Sequence, residues 1–195
     1  SDLKAGEYYA SGISNEKNGR YRSAEQNFLA AYNIYKNYGS YKDSQKRYQT
    51  NSERADREDA EKWYQKAKSQ ESARNYCEAA ETFSAAAQAY SKHGNYKDSY
   101  DLKAQNDKLC RQVRADRYYQ EARNKEYSAR TKREYRDIAE IYNSAYTSYK
   151  GYGEYKDSYQ KYKDLEEKGK VKVYIAGDLD NVIRDTIRSD FVVFT

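Results

Sequence analysis

His93 is the only histidine in the chain, and Cys77 and Cys110 are the only cysteines. A lone imidazole can carry a proton or bind a metal. Here it stands just before Gly94, in a slot that Tyr38 and Tyr152 fill elsewhere. It therefore reads as a packing variant at a helix end, where the dipole favours a cation, rather than as a catalyst. Two cysteines are too few for a disulfide framework and the wrong number for a structural zinc site. Cys77 lies about 18 residues before the turn near Asn95 and Cys110 about 15 after it, so a helical hairpin would hold them at similar heights. They read as two free, buried, small apolar residues, with a disulfide as the alternative in an exported protein. Thirty-six Lys and Arg among 25 Tyr could mark a nucleic-acid surface. Yet 31 Asp and Glu are interleaved with them, as in "SERADREDAEK", and the net charge is only +5. That alternation belongs to solvated helix faces. Nucleic acid is not the expected partner, and no catalytic residue, metal or cofactor is expected.

The elements that carry these residues are repeated. Leu, Ile, Val and Phe are scarce, a composition that by itself suggests disorder. Tyr and Ala supply the missing apolar surface, and they recur at fixed spacing. "GSYKDSQ", "GNYKDSY" and "GEYKDSY" place Tyr41, Tyr96 and Tyr155 at nearly even intervals, the second slightly the longer. At one fixed distance before each stands Tyr21, Tyr76 or Tyr135. Counting from that Tyr, position +3 is Ala24, Ala79 or Ile138, and +7 is Phe28, Phe83 or Tyr142. Position +10 is Ala31, Ala86 or Ala145, +14 is Tyr35, Tyr90 or Tyr149, and +18 is Gly39, Gly94 or Gly153. Offsets of 3, 7, 10 and 14 trace one face of an α-helix, and the Gly suits a helix stop. Upstream, Tyr8-Tyr9, Trp63-Tyr64 and Tyr118-Tyr119 form an aromatic pair followed by a small residue, Gly12, Ala67 or Ala122. The third repeat is longer than the others by about one helical turn.

"GRYRSAEQNFLAA", "RNYCEAAETFSAA" and "REYRDIAEIYNSA" resemble the second half of the tetratricopeptide repeat, over residues 3 to 165. The resemblance implies helix pairs stacked into an array that binds a protein or peptide along a curved surface of Tyr and Asn. The family period is about 34 residues, and the period here is longer by more than half. The excess lies in Gly- and Pro-free runs, 42–74 and 97–133, each read as one helix of roughly 30 residues, about 45 Å long. Tyr-Lys-Asp-Ser arrays also resemble bacterial multi-helix repeat proteins, many of them attached to the cell envelope; cytoplasm is the alternative address.

Gly-x-Tyr-Lys-Asp-Ser reads as a structural joint rather than a ligand motif. Ser44, Ser99 and Ser158 take a small position where backbones come close. Asp43, Asp98 and Asp157 fall in the first helical turn, facing free N–H groups, and Ser40 with Asp43 reads as a capping box. The Lys points to solvent on this reading.

Composition changes near Lys168, and Leu, Ile, Val and Phe become far denser beyond it. The tail reads as a strand 171–176, a helix 179–189 and a strand 191–195, a β-α-β piece. It belongs to an α/β domain or pairs with another chain, so self-association through "FVVFT" is an alternative partner mode. "AGDLDNV" resembles the Asp-x-Asp loop of haloacid-dehalogenase-type phosphatases, which implies Asp178 as nucleophile and Asp180 as acid/base beside magnesium. Val182 departs from the usual Thr, and the short run after Asp180 leaves no room for the family's Lys. A turn and a helix cap explain the same residues. The expected fold is thus mainly α, a tetratricopeptide-like helical repeat array over 1–168 with three units and long connecting helices, followed by a small β-α-β fragment over 169–195. The expected function is a non-catalytic scaffold for a protein or peptide. The alternative is a spacer or regulatory arm for an active C-terminal domain. No stretch of the sequence approaches a transmembrane helix.

Overall fold

The computed structural model describes residues 2–174 and 191–194. Seven helices follow one another among them: α1 (Asp2–Lys17), α2 (Tyr21–Tyr35), α3 (Ser44–Ser72), α4 (Tyr76–Tyr90), α5 (Ser99–Ser128), α6 (Lys132–Tyr149) and α7 (Ser158–Gly169). The chain is mainly helical, with adjacent helices packed on one another, as a helical repeat requires. The chain divides into two compact lobes, 1–107 and 108–195, with the division inside α5. In the first lobe α1 packs on α2, α2 on α3 and α3 on α4; in the second, α6 packs on α7.

The two Gly-free runs behave differently at their ends. Helix α3 spans 29 residues and α5 spans 30, each joining the start of one repeat to the aromatic pair of the next. Run 42–74 closes on Arg74, which takes φ 61° where the first repeat has Gly19 at φ 69°. Run 97–133 closes without a left-handed residue at its end. It breaks at Ser128, and Thr131 opens α6 with a full capping box: its hydroxyl accepts from Glu134 N–H while Glu134 reaches back to the Thr131 N–H. Most of the extra turn in the third repeat is spent here, since α6 begins at Lys132, ahead of Tyr135.

The core follows the repeat face. Ala24, Phe28 and Ala31 of α2, Ala79, Phe83 and Ala86 of α4, and Ile138, Tyr142 and Ala145 of α6 are buried. Opposite them lie Ala5, Ala60 and Ala115, small residues of the aromatic-pair helices that are wholly buried. Small side chains let backbones approach, and the large rings fill the space beside them. In the first repeat the approach is closest: a Cβ on Gly12 would stand 2.7 Å from the Phe28 ring, where the other repeats tolerate Ala67 and Ala122. Tyr21, Tyr76 and Tyr135 are half-buried. Gly39, Gly94 and Gly153 have φ of 116°, 117° and 116°, a conformation that only glycine adopts without strain.

The expected C-terminal β-α-β fragment is not seen, and the fold class is corrected to a helical array without it. Only two short parallel segments are described beyond α7, β1 (Val171–Tyr174) and β2 (Phe191–Phe194), paired Val171 to Phe191 through Tyr174 to Phe194. The expected helix 179–189, with Asp178, Asp180 and Val182, lies outside the described residues. Two strands of four residues each are described, and a stable sheet takes more than two.

Candidate functional site

The motif repeated three times builds the same side-chain clasp three times. Tyr9, Tyr64 and Tyr119 come from the aromatic-pair helices, and their hydroxyls donate to Asp43 (2.5 Å), Asp98 (2.7 Å) and Asp157 (2.6 Å). The motif lysine reaches over the same ring: Nζ of Lys42, Lys97 and Lys156 lies 4.8, 4.5 and 4.5 Å from the centroids of Tyr9, Tyr64 and Tyr119. Cation–π attraction of this kind holds a charge on an aromatic face. To reach it, each lysine adopts a left-handed backbone, φ 50°, 47° and 52°. Such strain costs about 1–3 kcal/mol and persists only where the surroundings fix it. Four rings knit each joint, edge to face except for the tilted Tyr41–Tyr35 pair: Phe28–Tyr9–Tyr41–Tyr35, Phe83–Tyr64–Tyr96–Tyr90 and Tyr142–Tyr119–Tyr155–Tyr149, with neighbouring centroids 5.2–6.1 Å apart.

Two sequence expectations are corrected by this geometry and one is extended. The lysines are exposed, as expected, but each Nζ also lies over a ring. Asp43 and Asp157 are the residues before α3 and α7 and make no side-chain cap bond; their carboxylates go to Tyr9 and Tyr119 instead. Ser40 and Asp43 form no capping box, because the helix starts at Ser44 and the Ser40 hydroxyl meets Ser44 and the Gln45 N–H. The last letter of the motif is about size: Ser44, Ser99 and Ser158 are all fully buried. Ser99 gives its hydroxyl to the Tyr96 carbonyl, whereas the Ser158 hydroxyl has no partner among the described residues. A buried hydroxyl without a partner costs about 1–3 kcal/mol. Ser158→Ala is therefore expected to leave stability unchanged or raise it, as read by denaturant midpoint; a loss above about 1 kcal/mol would show that the hydroxyl matters.

A second layer of charge lies just under one turn earlier on the aromatic-pair helix. The Tyr96 hydroxyl and the Lys97 ammonium share the Glu61 carboxylate, the latter at 2.5 Å. Tyr155 and Lys156 share Asp116 Oδ1 at 2.7 and 2.8 Å. Lys97, then Tyr96, holds the Glu61 carboxyl down at about 2. Lys156, then Tyr155, lowers Asp116 in the same way, while burial and Glu61 push the Tyr96 phenol up. A carboxyl whose folded pKa is depressed contributes stability above its unfolded pKa and loses it as pH falls toward the folded value. For Glu61 the window runs from its ordinary 4.5 down to about 2. Acid unfolding followed by circular dichroism should therefore set in below pH 4.5, and Glu61→Gln should flatten that part of the profile; an unaltered profile would contradict the assignment.

Glu16, Glu71 and Glu126 recur at one position of the repeat. Glu16 binds Arg47 at 2.6 Å and Asn51 at 3.3 Å; Glu71 binds Lys68 at 2.6 Å and Asn106 at 2.8 Å. Asn51 and Asn106 are wholly buried. In the third repeat the asparagine is replaced by Leu165, and the Phe of the other repeats by Tyr142. The Tyr142 hydroxyl takes over the glutamate, donating to Glu126 at 2.8 Å, with Lys161 at 3.0 Å. The two exchanges compensate each other.

His93 is more than a packing variant. Its Nε2 lies 3.0 Å from Asp56, whose other oxygen accepts from Arg22 at 2.6 Å. Burial alone would raise the Asp56 pKa, but Arg22 and His93 outweigh it and lower it. The cysteines are corrected too: both are disulfide-bonded, and Cys77 is exposed rather than buried.

A surface groove of about 670 Å³ stands in the second lobe. Gln120, Arg123, Asn124 and Tyr127, on one face of α5, line it with Glu126 and Lys161. The Tyr127 side chain is 89% exposed there, in contrast to the ring clusters of the joints. Neither a cluster of metal-ligating residues nor a helix long and apolar enough to cross a membrane occurs among the described residues. Comparison with protein-family models, curated proteins and solved structures finds no match.

Proposed function

We propose that the chain is a non-catalytic scaffold of tetratricopeptide-like type that binds a protein or peptide segment in the groove around Tyr127. The observation that carries this reading is an aromatic ring 89% exposed in a groove of about 670 Å³. Exposed Tyr in a pocket is a common anchor at interfaces, because it offers a large rigid face and a polar tip. Gln120, Arg123 and Asn124 supply side-chain N–H donors along the same wall, which suit the carbonyls of an extended backbone. The Tyr-Lys-Asp-Ser spacing supports a bacterial origin by resemblance. A spacer role is the second reading, favoured by the two helices of 29 and 30 residues.

The test is selection of short peptides from a display library on the immobilised chain. Peptides retained by the groove should lose at least ten-fold affinity on Tyr127→Ala and should crosslink to a photoreactive residue at position 124. Enriched peptides that ignore Tyr127→Ala, or none enriched at all, would favour the spacer.

A further inference from the structure

The three clasps differ in the carboxylate that meets the motif Tyr and Lys, and the difference points to a ligand. In the second and third, the motif Tyr hydroxyl and Lys ammonium converge on a carboxylate of the neighbouring helix, Glu61 or Asp116. Glu61 stands just under one turn before Tyr64, and Asp116 stands at the same place before Tyr119. The residue at that place before Tyr9 is Gly6. It has no side chain with which to accept. The donors are nevertheless placed as in the other repeats. Lys42 Nζ stands 4.8 and 5.4 Å from the centroids of Tyr9 and Tyr41, against 4.5 and 5.3 Å for Lys97 over Tyr64 and Tyr96. The Tyr41 hydroxyl comes down over Gly6, 3.1 Å from where a Cβ would be. Nearby carboxylates are engaged elsewhere: Asp2, one turn earlier, accepts from Tyr35, and Asp43 accepts from Tyr9 and Arg47. Access to the phenol differs as well. Tyr96 and Tyr155 are buried, at 6% and 8% exposure, while Tyr41 is only half-buried; the lysine is exposed in all three joints.

We infer that Tyr41, Lys42 and the bare backbone at Gly6 form a carboxylate-binding notch, filled from outside the chain by the group that Glu61 and Asp116 supply internally. The ligand chemistry is set by the two equivalent sites: one carboxylate accepting a phenol O–H and an ammonium N–H, a charge-assisted pair. The carboxylate belongs to an acidic side chain of a polypeptide or to a free small acid. This site lies in the first lobe and uses none of the residues of the Tyr127 groove, so the two proposals stand or fall separately.

The experiment is a titration of the full ¹⁵N-labelled chain, with amide shifts as readout. One arm uses acetate, the other a short Ser/Gly peptide carrying one central Glu, amidated and acetylated at its ends. The amides of residues 41–43 should shift saturably, while those of 96–98 and 155–157, whose acceptor is internal, stay still and act as controls. Lys42→Ala should remove the shifts, and Gly6→Glu, which supplies the carboxylate in cis, should remove them while leaving the rest of the spectrum in place. Saturation by the peptide at ten-fold lower concentration than by acetate assigns the source to a polypeptide; equal concentrations assign it to a small acid. No saturable shift at 41–43, equal shifts at all three joints, or shifts that survive Gly6→Glu would overturn the inference.

Discussion

Phe83→Ala is expected to destabilise the first lobe by about 3–5 kcal/mol, the usual cost of deleting a fully buried aromatic ring. Phe83 is wholly buried among Ala67 and Ala79, with Tyr64 and Leu102 packed against it. Its ring also meets Tyr64 edge to face at 5.6 Å, and Tyr64 is the residue that donates to Asp98. The truncation therefore leaves a cavity and loosens the clasp in one step. A chain this poor in Leu, Ile and Val has few other large side chains to collapse into the gap. Guanidinium unfolding followed by circular dichroism measures the effect, and a loss below about 1 kcal/mol would mean that the ring is not part of a packed core.

The second large effect is expected at Tyr142, and it has a built-in rescue. Tyr142→Phe keeps the ring and removes a hydroxyl that is buried and bonded to Glu126. Burial, with Glu126 next, pushes its phenol pKa up, consistent with a proton held in the fold. Hydrogen bonds to charged groups contribute about 1.5–3 kcal/mol, so the single variant should lose that much. Leu165→Asn alone should also destabilise, because it puts an amide in an apolar cluster of Ala122, Ile138 and Tyr142. Combined, the two substitutions recreate the Phe-with-Asn arrangement of the other repeats, Phe28 with Asn51 and Phe83 with Asn106. The double variant should be more stable than the sum of the singles by about 1 kcal/mol or more. Strict additivity would show that the pairing of the two exchanges is accidental.

What the sequence made legible was whatever repeats along one helix face. Offsets of 3, 7, 10 and 14 from Tyr21, Tyr76 and Tyr135 mark the faces of α2, α4 and α6, and the Gly-free runs mark α3 and α5. The clasps were hidden because their partners come from different helices, far apart in the chain: Tyr9 with Asp43, Tyr64 with Asp98 and Tyr119 with Asp157. The repeat period held the signal for the deeper carboxylates, since Glu16, Glu71 and Glu126 share one position, as do Glu61, Asp116 and the exceptional Gly6. The lysine could not be read, because a left-handed backbone at a non-glycine residue leaves no mark in composition. In the tail, the density of Leu, Ile, Val and Phe beyond Lys168 suggested a β-α-β piece, of which two four-residue strands are described. Tyr127 carried no marker either: it falls off the repeat face, and only its exposure beside Asn124 and Gln120 singles it out.

Tyr-Lys-Asp-Ser joins helices by a bond between the motif Asp and a Tyr two helices earlier, on α1, α3 or α5. The double-mutant cycle of Tyr64→Phe and Asp98→Ala, read by denaturant unfolding, tests it most directly. The account predicts a coupling of about 1 kcal/mol or more between the two sites, since either change alone already breaks the 2.7 Å bond. A coupling of zero, with the two losses simply adding, would contradict it.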